Sequence, residues 1–411
     1  MKVTINKSIA NGSIIAQPSK SYAHRLLIAA ALSKEESVVK NVVLSNDILA
    51  TINCLKALGK DITIKENENK KNTLVIKDNK NFNIDKLDKI EFDCLESGST
   101  LRFFIPIALL LNKKVIFKGT KKLISRGIQV YEEICDKQGI NVIKQEDSIT
   151  FVGKLKADNF ELVGNISSQF ITGLLFALPL LEEDSCINII TNLESKNYID
   201  ITIDVLKNAG ITIEVKDENH YYIVGSQKYQ SIDISVEGDY SNASFIESLN
   251  YLDGNVKIEG LNKNSYQGDK AYIELFEKLS NGYCECDIKN CIDLGPILFA
   301  FASLKHGGCF TGVNRLRIKE SDRIKDIKEE LEKFNIEVTE FENENKVVIN
   351  NKNINKPKDI LYGKNDHRIV MALSIMLTKF GGIIDGVEAV NKSYPNFFDD
   401  LKSLGIEVEY E

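Results

Sequence analysis

Of the 52 basic residues in this 411-residue chain only seven are arginine: Arg25, Arg102, Arg126, Arg315, Arg317, Arg323 and Arg368. Lysine serves wherever any cation will do. The retained arginines therefore mark places where a rigid, two-pronged donor for carboxylate or phosphate matters. All seven lie on or beside turns that open helical runs, or in the loop 119–127. The segment 18–25, Pro-Ser-Lys-Ser-Tyr-Ala-His-Arg, shows the pattern. Ser19 can cap the apolar run that follows, which leaves backbone N–H groups and the positive dipole end in front of Lys20. Ser21 and Arg25, four residues apart, share a face. A phosphate or carboxylate is the natural guest, although a capped core helix with a solvated lysine would read the same on this segment alone.

Other reactive side chains point elsewhere. Cys284, Cys286 and Cys291, with Cys309 further on, could suggest a metal site. Cys-x-Cys on a strand after Gly282, however, puts the first two sulfurs on one buried face, which reads as core. His24 and His367 lie within motifs, while His220 and His306 read as surface or strand-end residues, and no His-plus-carboxylate cluster has catalytic metal spacing. His367 beside Arg368 either positions substrate or caps and hydrogen-bonds internally.

The elements that must hold these residues repeat. Apolar helices opening on a polar or glycine turn begin near Ser19, Ser97, Ser167, Tyr240, Asp293 and Asn365, at spacings of 78, 70, 73, 53 and 72. A second marker, the turn between an amphipathic helix and a β-branched strand, falls at Gly59, Gly139, Gly210, Gly282, Asn335 and Gly405, at spacings of 80, 71, 72, 53 and 70. Two unrelated markers with one irregular spacing imply six units, each of a buried helix, a surface helix and several strands. The runs 103–111 and 170–181 are apolar nearly all round and must be buried, whereas 324–334 carries charge on one face. The simplest packing is three buried helices per domain wrapped by mixed sheets, with helix N-termini emerging at one end. The pattern restarts around Val236 to Asp239, giving domains 19–238 and 1–18 plus 239–411, the opening strands completing the second.

Composition sets the outer bounds. At 43% hydrophobic and 27% charged, the chain can bury two or more cores. No signal-peptide core opens it, and the longest apolar run, 103–111, is too short to span a bilayer and contains Pro106. Eight scattered cysteines suit a reducing compartment, so a cytoplasmic location without membrane attachment is expected. A net charge of −7 argues against a nucleic-acid surface.

Seven motifs, in order, resemble those of the 3-phosphoshikimate 1-carboxyvinyltransferase (5-enolpyruvylshikimate-3-phosphate synthase) family. They are Pro-Ser-Lys-Ser-Tyr-Ala-His-Arg at 18–25, Ser-Gly-Ser-Thr-Leu-Arg at 97–102, Ser-Ser-Gln-Phe at 167–170, Glu-Gly-Asp at 237–239, Arg-Ile-Lys-Glu-Ser-Asp-Arg at 317–323, Asn-Asp-His-Arg at 365–368 and Lys-Ser-Tyr-Pro at 392–395. The series spans nearly the whole chain. The resemblance implies an α/β (α+β) enolpyruvyl-transferase-like fold of two domains and six βαβαββ-type repeats, three per domain. It also implies a monomeric enzyme that uses shikimate 3-phosphate and phosphoenolpyruvate and needs neither metal nor organic cofactor.

Carried over motif by motif, the shikimate-phosphate side falls on Lys20, Ser21, Arg25, Ser167, Ser168, Ser195, Tyr198, Asp293 and Lys319. The phosphoenolpyruvate side falls on Lys20, Gly98, Arg126, Gln169, Glu320, Arg323, Arg368 and Lys392. Gly98 is thereby placed against the pocket where glyphosate competes. Asp293 is the candidate acceptor of the hydroxyl proton, with Glu320 and Lys20 the candidates for proton traffic at C3 of phosphoenolpyruvate. Glu96 and Gly127 depart from the family, which more often has a neutral residue and proline there; Asn314 and Arg315 receive no role. Two alternatives compete. A sister transferase acting on UDP-N-acetylglucosamine often uses a loop cysteine, and 119–127 has none. A non-enzymatic anion- or RNA-binding scaffold would not need Asp293 and Glu320 beside the arginines.

Overall fold

The computed structural model describes residues 1–67, 71–351 and 353–411. The chain divides into two compact units, an inserted one, Pro18–Glu237, and a discontinuous one made of Met1–Gln17 and Gly238–Glu411.

The inserted unit carries helices α1 (Lys20–Leu32), α2 (Asn46–Ala57), α3 (Gly98–Leu109), α4 (Lys121–Ser125), α5 (Gln129–Gln138), α6 (Ser168–Ala177) and α7 (Lys196–Asn208). The buried ones are α1, α3 and α6, which start on serine caps: Ser19, Ser97 and Ser167 accept from the backbone N–H of Tyr22, Thr100 and Gln169. Pro106 lies inside α3 and has no N–H to give the Arg102 carbonyl one turn earlier. The Tyr131 hydroxyl reaches that carbonyl instead, at 2.7 Å. A side chain at Gly173 of α6 would strike the same hydroxyl and carbonyl, at 2.3 and 2.5 Å, so α6 packs against α3 only with glycine there.

Three four-stranded sheets wrap these helices on one plan. The strand after each buried helix is interior. Lys114–Lys118, for example, pairs parallel with Lys89–Asp93 and antiparallel with Ser148–Val152, whose other neighbour is Asn141–Lys144. The register sets Phe92 beside Phe117, with rings stacked at 4.8 Å, and Phe117 beside Ile149, all fully buried. The unit closes on itself where its last strand, Asp233–Ser235, joins Ser37–Val42 in parallel.

The discontinuous unit carries α8 (Tyr240–Ser248), α9 (Tyr272–Asn281), α10 (Gly295–Leu304), α11 (Arg323–Glu332), α12 (His367–Phe380) and α13 (Phe397–Ser403). Two of its sheets repeat the four-stranded plan, and in one the hairpin strand comes from the start of the chain. Lys2–Ile5 lies between Gly382–Asp385 and Val408–Tyr410. The third sheet is a parallel pair, Asn11–Ile15 with Asn255–Glu259. No hairpin follows α9 among the described residues, so the expected six-fold βαβαββ pattern is truncated in the fourth repeat. That loss is the physical origin of the short 53-residue step.

The turn markers have a common backbone basis. After α5, Gly139 is left-handed (φ 68°), and Ile140 N–H returns to the Cys135 carbonyl at 2.8 Å; Asn335 does the same work after α11 at φ 64°. Gly282 differs, with extended backbone at φ 160°. Beyond it Cys286 is buried and Cys284 half-buried, their sulfurs 3.5 Å apart on one face. Among the described residues no cluster of His, Cys, Asp and Glu is arranged to hold a metal ion.

Candidate active site

In the inserted unit the starts of five helices converge, tied by polar side chains. Lys20, the first residue of α1, donates to Asp47 Oδ2 in the first turn of α2 at 2.8 Å. Behind them runs a buried chain of short contacts: His24 Nδ1 to Thr51 Oγ1 (2.7 Å), Thr51 to Thr100 (2.8 Å) and Thr100 to Ser97 (2.7 Å). Burial, then Lys20 and Arg25, hold His24 well below its ordinary pKa, so it is a neutral hydrogen-bonding link.

Arg25 is 2% exposed and is met by neutral oxygens: Thr202 Oγ1 at 2.8 Å, the Ser21 carbonyl at 2.9 Å, the Tyr198 carbonyl at 3.1 Å and Thr172 Oγ1 at 3.4 Å. The rings of Phe103 and Tyr198 lie 5.0 and 5.8 Å from the guanidinium carbon. No carboxylate pairs with it among the described residues, and burial draws its pKa down to about 10. A buried cation without a counter-charge is costly and favours an incoming anion. Tyr198 belongs to α7, which is preceded by Ser195, a buried residue in left-handed backbone (φ 56°) that is sparsely populated away from glycine and asparagine.

Arg102 and Arg126 flank the start of α3. Arg102 Nη1 donates to Gln169 Oε1 at 2.7 Å, and Gln169 Nε2 donates to Ser99 Oγ at 2.9 Å, which joins the starts of α3 and α6. Arg102 Nη2 donates to the Gly127 carbonyl at 3.1 Å. A Cβ at position 98 would lie 3.0 Å from Arg126 Nη1 and 3.1 Å from Arg102 Nη1. Gly98 thus lets two guanidinium groups crowd one helix N-terminus.

In the discontinuous unit the charges form one cluster. Asp293 precedes α10 and meets Arg323 Nη1 at 2.9 Å, Lys319 Nζ at 3.2 Å and Arg368 Nη2 at 3.4 Å. Burial pushes its carboxyl upward, but Arg368, Lys319 and Arg323 outweigh that and hold it well below the usual carboxylate range. Lys319 moves down because it is buried, an effect that Asp293 opposes. Arg323, 1% exposed, also bonds Glu320 Oε2 at 2.6 Å and Asp366 Oδ2 at 2.8 Å. Asp366 caps α12 by accepting from Arg368 N–H at 2.9 Å. Lys392 Nζ donates to the Asn365 carbonyl at 2.7 Å, one residue before that cap.

The residues expected from sequence therefore gather within each unit. Lys20, Ser21, Arg25, Gly98, Arg126, Ser167, Ser168, Gln169, Ser195 and Tyr198 lie in the inserted unit, and Asp293, Lys319, Glu320, Arg323, Arg368 and Lys392 in the discontinuous one. Ser167 spends its hydroxyl on the Gln169 N–H, as a cap. Sequence reasoning passed over Asp47, Thr202 and Asp366. Asp366 stood inside a motif already singled out, and Asp47 follows the Ser45 cap of α2; Thr202, mid-helix, gave no signal.

Comparison with known proteins points to one family. A family model described as EPSP synthase (3-phosphoshikimate 1-carboxyvinyltransferase) matches residues 5–285 and 280–401. The chain is 42% identical to the 3-phosphoshikimate 1-carboxyvinyltransferase of Clostridium acetobutylicum, covering 99% of this chain and 98% of that one. It is 40% identical to the enzyme of the same name from Clostridium perfringens, covering 98% of both. Among solved structures it resembles the EPSP synthase of Acinetobacter baumannii (TM-score 0.78, 20% identity, all of both chains). It also resembles the enolpyruvyl transferase NikO of Streptomyces tendae (TM-score 0.76, 12% identity, 99% of this chain and 98% of that one). These two structural likenesses speak for the fold.

Proposed function

The chain belongs to the EPSP synthase (3-phosphoshikimate 1-carboxyvinyltransferase) family, and on that premise we propose how its own side chains divide the reaction. The enzyme moves the enolpyruvyl group of phosphoenolpyruvate to the 5-hydroxyl of shikimate 3-phosphate and releases phosphate, a step of the shikimate pathway to chorismate and the aromatic amino acids. The hydroxyl oxygen bonds to C2 of phosphoenolpyruvate, its proton leaves, and C3 gains a proton. The tetrahedral product then loses a proton from C3 and phosphate from C2.

One observation carries the reading: Asp293, beside Glu320, is held as a carboxylate by Arg323, Lys319 and Arg368. Surrounded by three cations it is a weak base. Anions that engage Arg368 and Lys319 weaken that field, so the Asp293 pKa rises toward the range of a useful base only when substrates are bound. Glu320 and Lys20 then serve the C3 proton. Arg323 is so fully occupied by carboxylates that its role is to set Asp293, Glu320 and Asp366 in place, with Arg368 and Lys392 meeting the phosphoenolpyruvate anion. Arg25, Lys20, Ser21, Ser167, Ser168, Ser195 and Tyr198 receive the shikimate phosphate, and Gly98, Arg126 and Gln169 the donor. A preorganised cationic contact of this kind is typically worth ~3–4 kcal/mol in the transition state.

Incubating the protein with phosphoenolpyruvate and either shikimate 3-phosphate or UDP-N-acetylglucosamine, and measuring released phosphate, tests the reading. Release with the sugar nucleotide, or with neither acceptor, overturns it. The working form is read as a cytoplasmic monomer that binds no nucleic acid, in keeping with eight free thiols and a net charge of −7. No described helix is long and apolar enough to cross a membrane. Light scattering at a mass other than 46.2 kDa would contradict the monomer.

A further inference from the structure

Asp269 lies outside every residue set named so far. It sits in the short turn Gly268–Ala271 and is 5% exposed. Gln267 fastens that turn to the start of α8: its Nε2 donates to the Gly238 carbonyl at 2.8 Å, and its Oε1 accepts from Tyr240 N–H at 3.0 Å. The Ser241 hydroxyl lies beside the Asp269 carboxyl and favours its ionised form. The same hydroxyl is 2.5 Å from Arg368 Nη1. Arginine has no acceptor and a hydroxyl has one proton, so the direction is fixed. Arg368 gives to Ser241, which leaves the hydroxyl proton of Ser241 for Asp269.

We propose that Asp269 is a positioning residue for Arg368, holding the Nη1 edge of the guanidinium through Ser241 so that the Nη2 edge, 3.4 Å from Asp293, is the one offered to the phosphoenolpyruvate anion. This rests on the assignment of Arg368 made above. A direct Asp269–Arg368 ion pair would compete with substrate for the guanidinium. A neutral hydroxyl between them transmits orientation and partial charge while leaving the cation available to an incoming anion.

The charges facing Asp269 come from three other elements. Asp293 before α10 and Asp239 at the start of α8 oppose its ionisation, while Arg368 of α12 favours it; Cys291 also lies near. Burial, reinforced by Asp293, pushes the carboxyl up to about 6. Ser241 therefore faces a carboxylate at neutral pH and a carboxylic acid in mild acid.

Steady-state kinetics of the full chain bearing Asp269→Asn, Ser241→Ala, both, or Arg368→Lys decide the matter. Each of the first two should raise the KM for phosphoenolpyruvate about tenfold, the loss of one hydrogen bond to a charged group, with the KM for shikimate 3-phosphate within about twofold. The double variant should be no worse than Ser241→Ala alone. The ratio of wild-type to Asp269→Asn kcat/KM cancels the titration of the substrate itself. It should be largest near pH 8 and shrink toward 1 near pH 5. An unchanged KM in either single variant, additive losses, or a ratio independent of pH overturns the proposal. If Arg368→Lys raises the KM while Asp269→Asn does not, the assignment of Arg368 stands and the relay falls. If Arg368→Lys has no effect, both fall.

Discussion

Arg323 and Asp366 meet twice inside the discontinuous unit, Nε to Oδ2 at 2.8 Å and Nη2 to Oδ1 at 3.3 Å, with side chains 1% and 0% exposed. On the division of roles proposed above the pair is a framework: one member caps α12 and the other carries Asp293 and Glu320. Arg323→Lys keeps the charge but loses the fork, leaving buried carboxylates partly unpaired. We expect a loss of about 3–5 kcal/mol and a thermal midpoint lower by at least about 6 °C. A midpoint within about 2 °C of wild type would refute the framework role.

Asp293→Asn and Glu320→Gln retain shape and remove proton carriers. Turnover should fall by two or more orders of magnitude in each, with both substrates still bound within about tenfold of wild type, as read by calorimetry and steady-state rates. Near-wild-type turnover in both variants would exclude them from the chemistry.

Gly98→Ala puts a methyl 3.0 Å from Arg126 Nη1 and 3.1 Å from Arg102 Nη1, so both guanidinium groups must shift by a few tenths of an ångström. Stability should change little, because alanine suits a helix start. The inhibition constant for glyphosate should rise by a larger factor than the KM for phosphoenolpyruvate, since the longer ligand needs the space the methyl takes. Equal factors, or none, would remove Gly98 from the pocket wall.

Arg25→Met replaces a buried cation met by neutral oxygens with an apolar chain of similar length. The ligand-free protein should lose no stability and could gain on the order of 1 kcal/mol. Shikimate 3-phosphate should raise the wild-type melting point, and that rise should vanish in the variant. A clear loss of ligand-free stability would mean that Arg25 is structural.

Asp269 predicts a pH-dependent stability effect of defined sign. Its carboxyl is raised to about 6 in the folded chain, so its contribution is fully present below the ordinary carboxylate range and is lost as pH climbs through about 6. At pH 8 the wild type carries a penalty of up to about 3 kcal/mol that Asp269→Asn lacks. Denaturant midpoints should therefore favour the variant most at pH 8, by about half as much at pH 5, and converge only below the ordinary carboxylate range, near pH 3.5. A variant that is less stable at both pH 8 and pH 5 contradicts this.

Much of the site was legible because its signals are local. Serine caps, the helix-start arginines and the turn residues at Gly139 and Asn335 impose short-range geometry that a sequence displays directly. What stayed hidden depends on tertiary contact. Thr202 meets Arg25 from a helix far along the chain, and Ser241 meets Arg368 across 127 residues. The near-neutral surroundings of Arg25 and the saturation of Arg323 by three carboxylates could not be told apart from spacing, since both read as an arginine near a helix start.

The placement of Lys2–Ile5 between Gly382–Asp385 and Val408–Tyr410 sets an order of events during synthesis. The inserted unit draws all its strands from residues 18–237 and has everything it needs before the second half of the chain exists. The strand Lys2–Ile5 must wait for residues 382–410, holding an unpaired edge until they emerge. Pairings of such sequence separation form late. The inserted unit should therefore resist protease on stalled ribosomes well before the discontinuous one does. Among the last hydrogen bonds to form should be those that join these distant segments, as between Glu411 N–H and the Lys2 carbonyl.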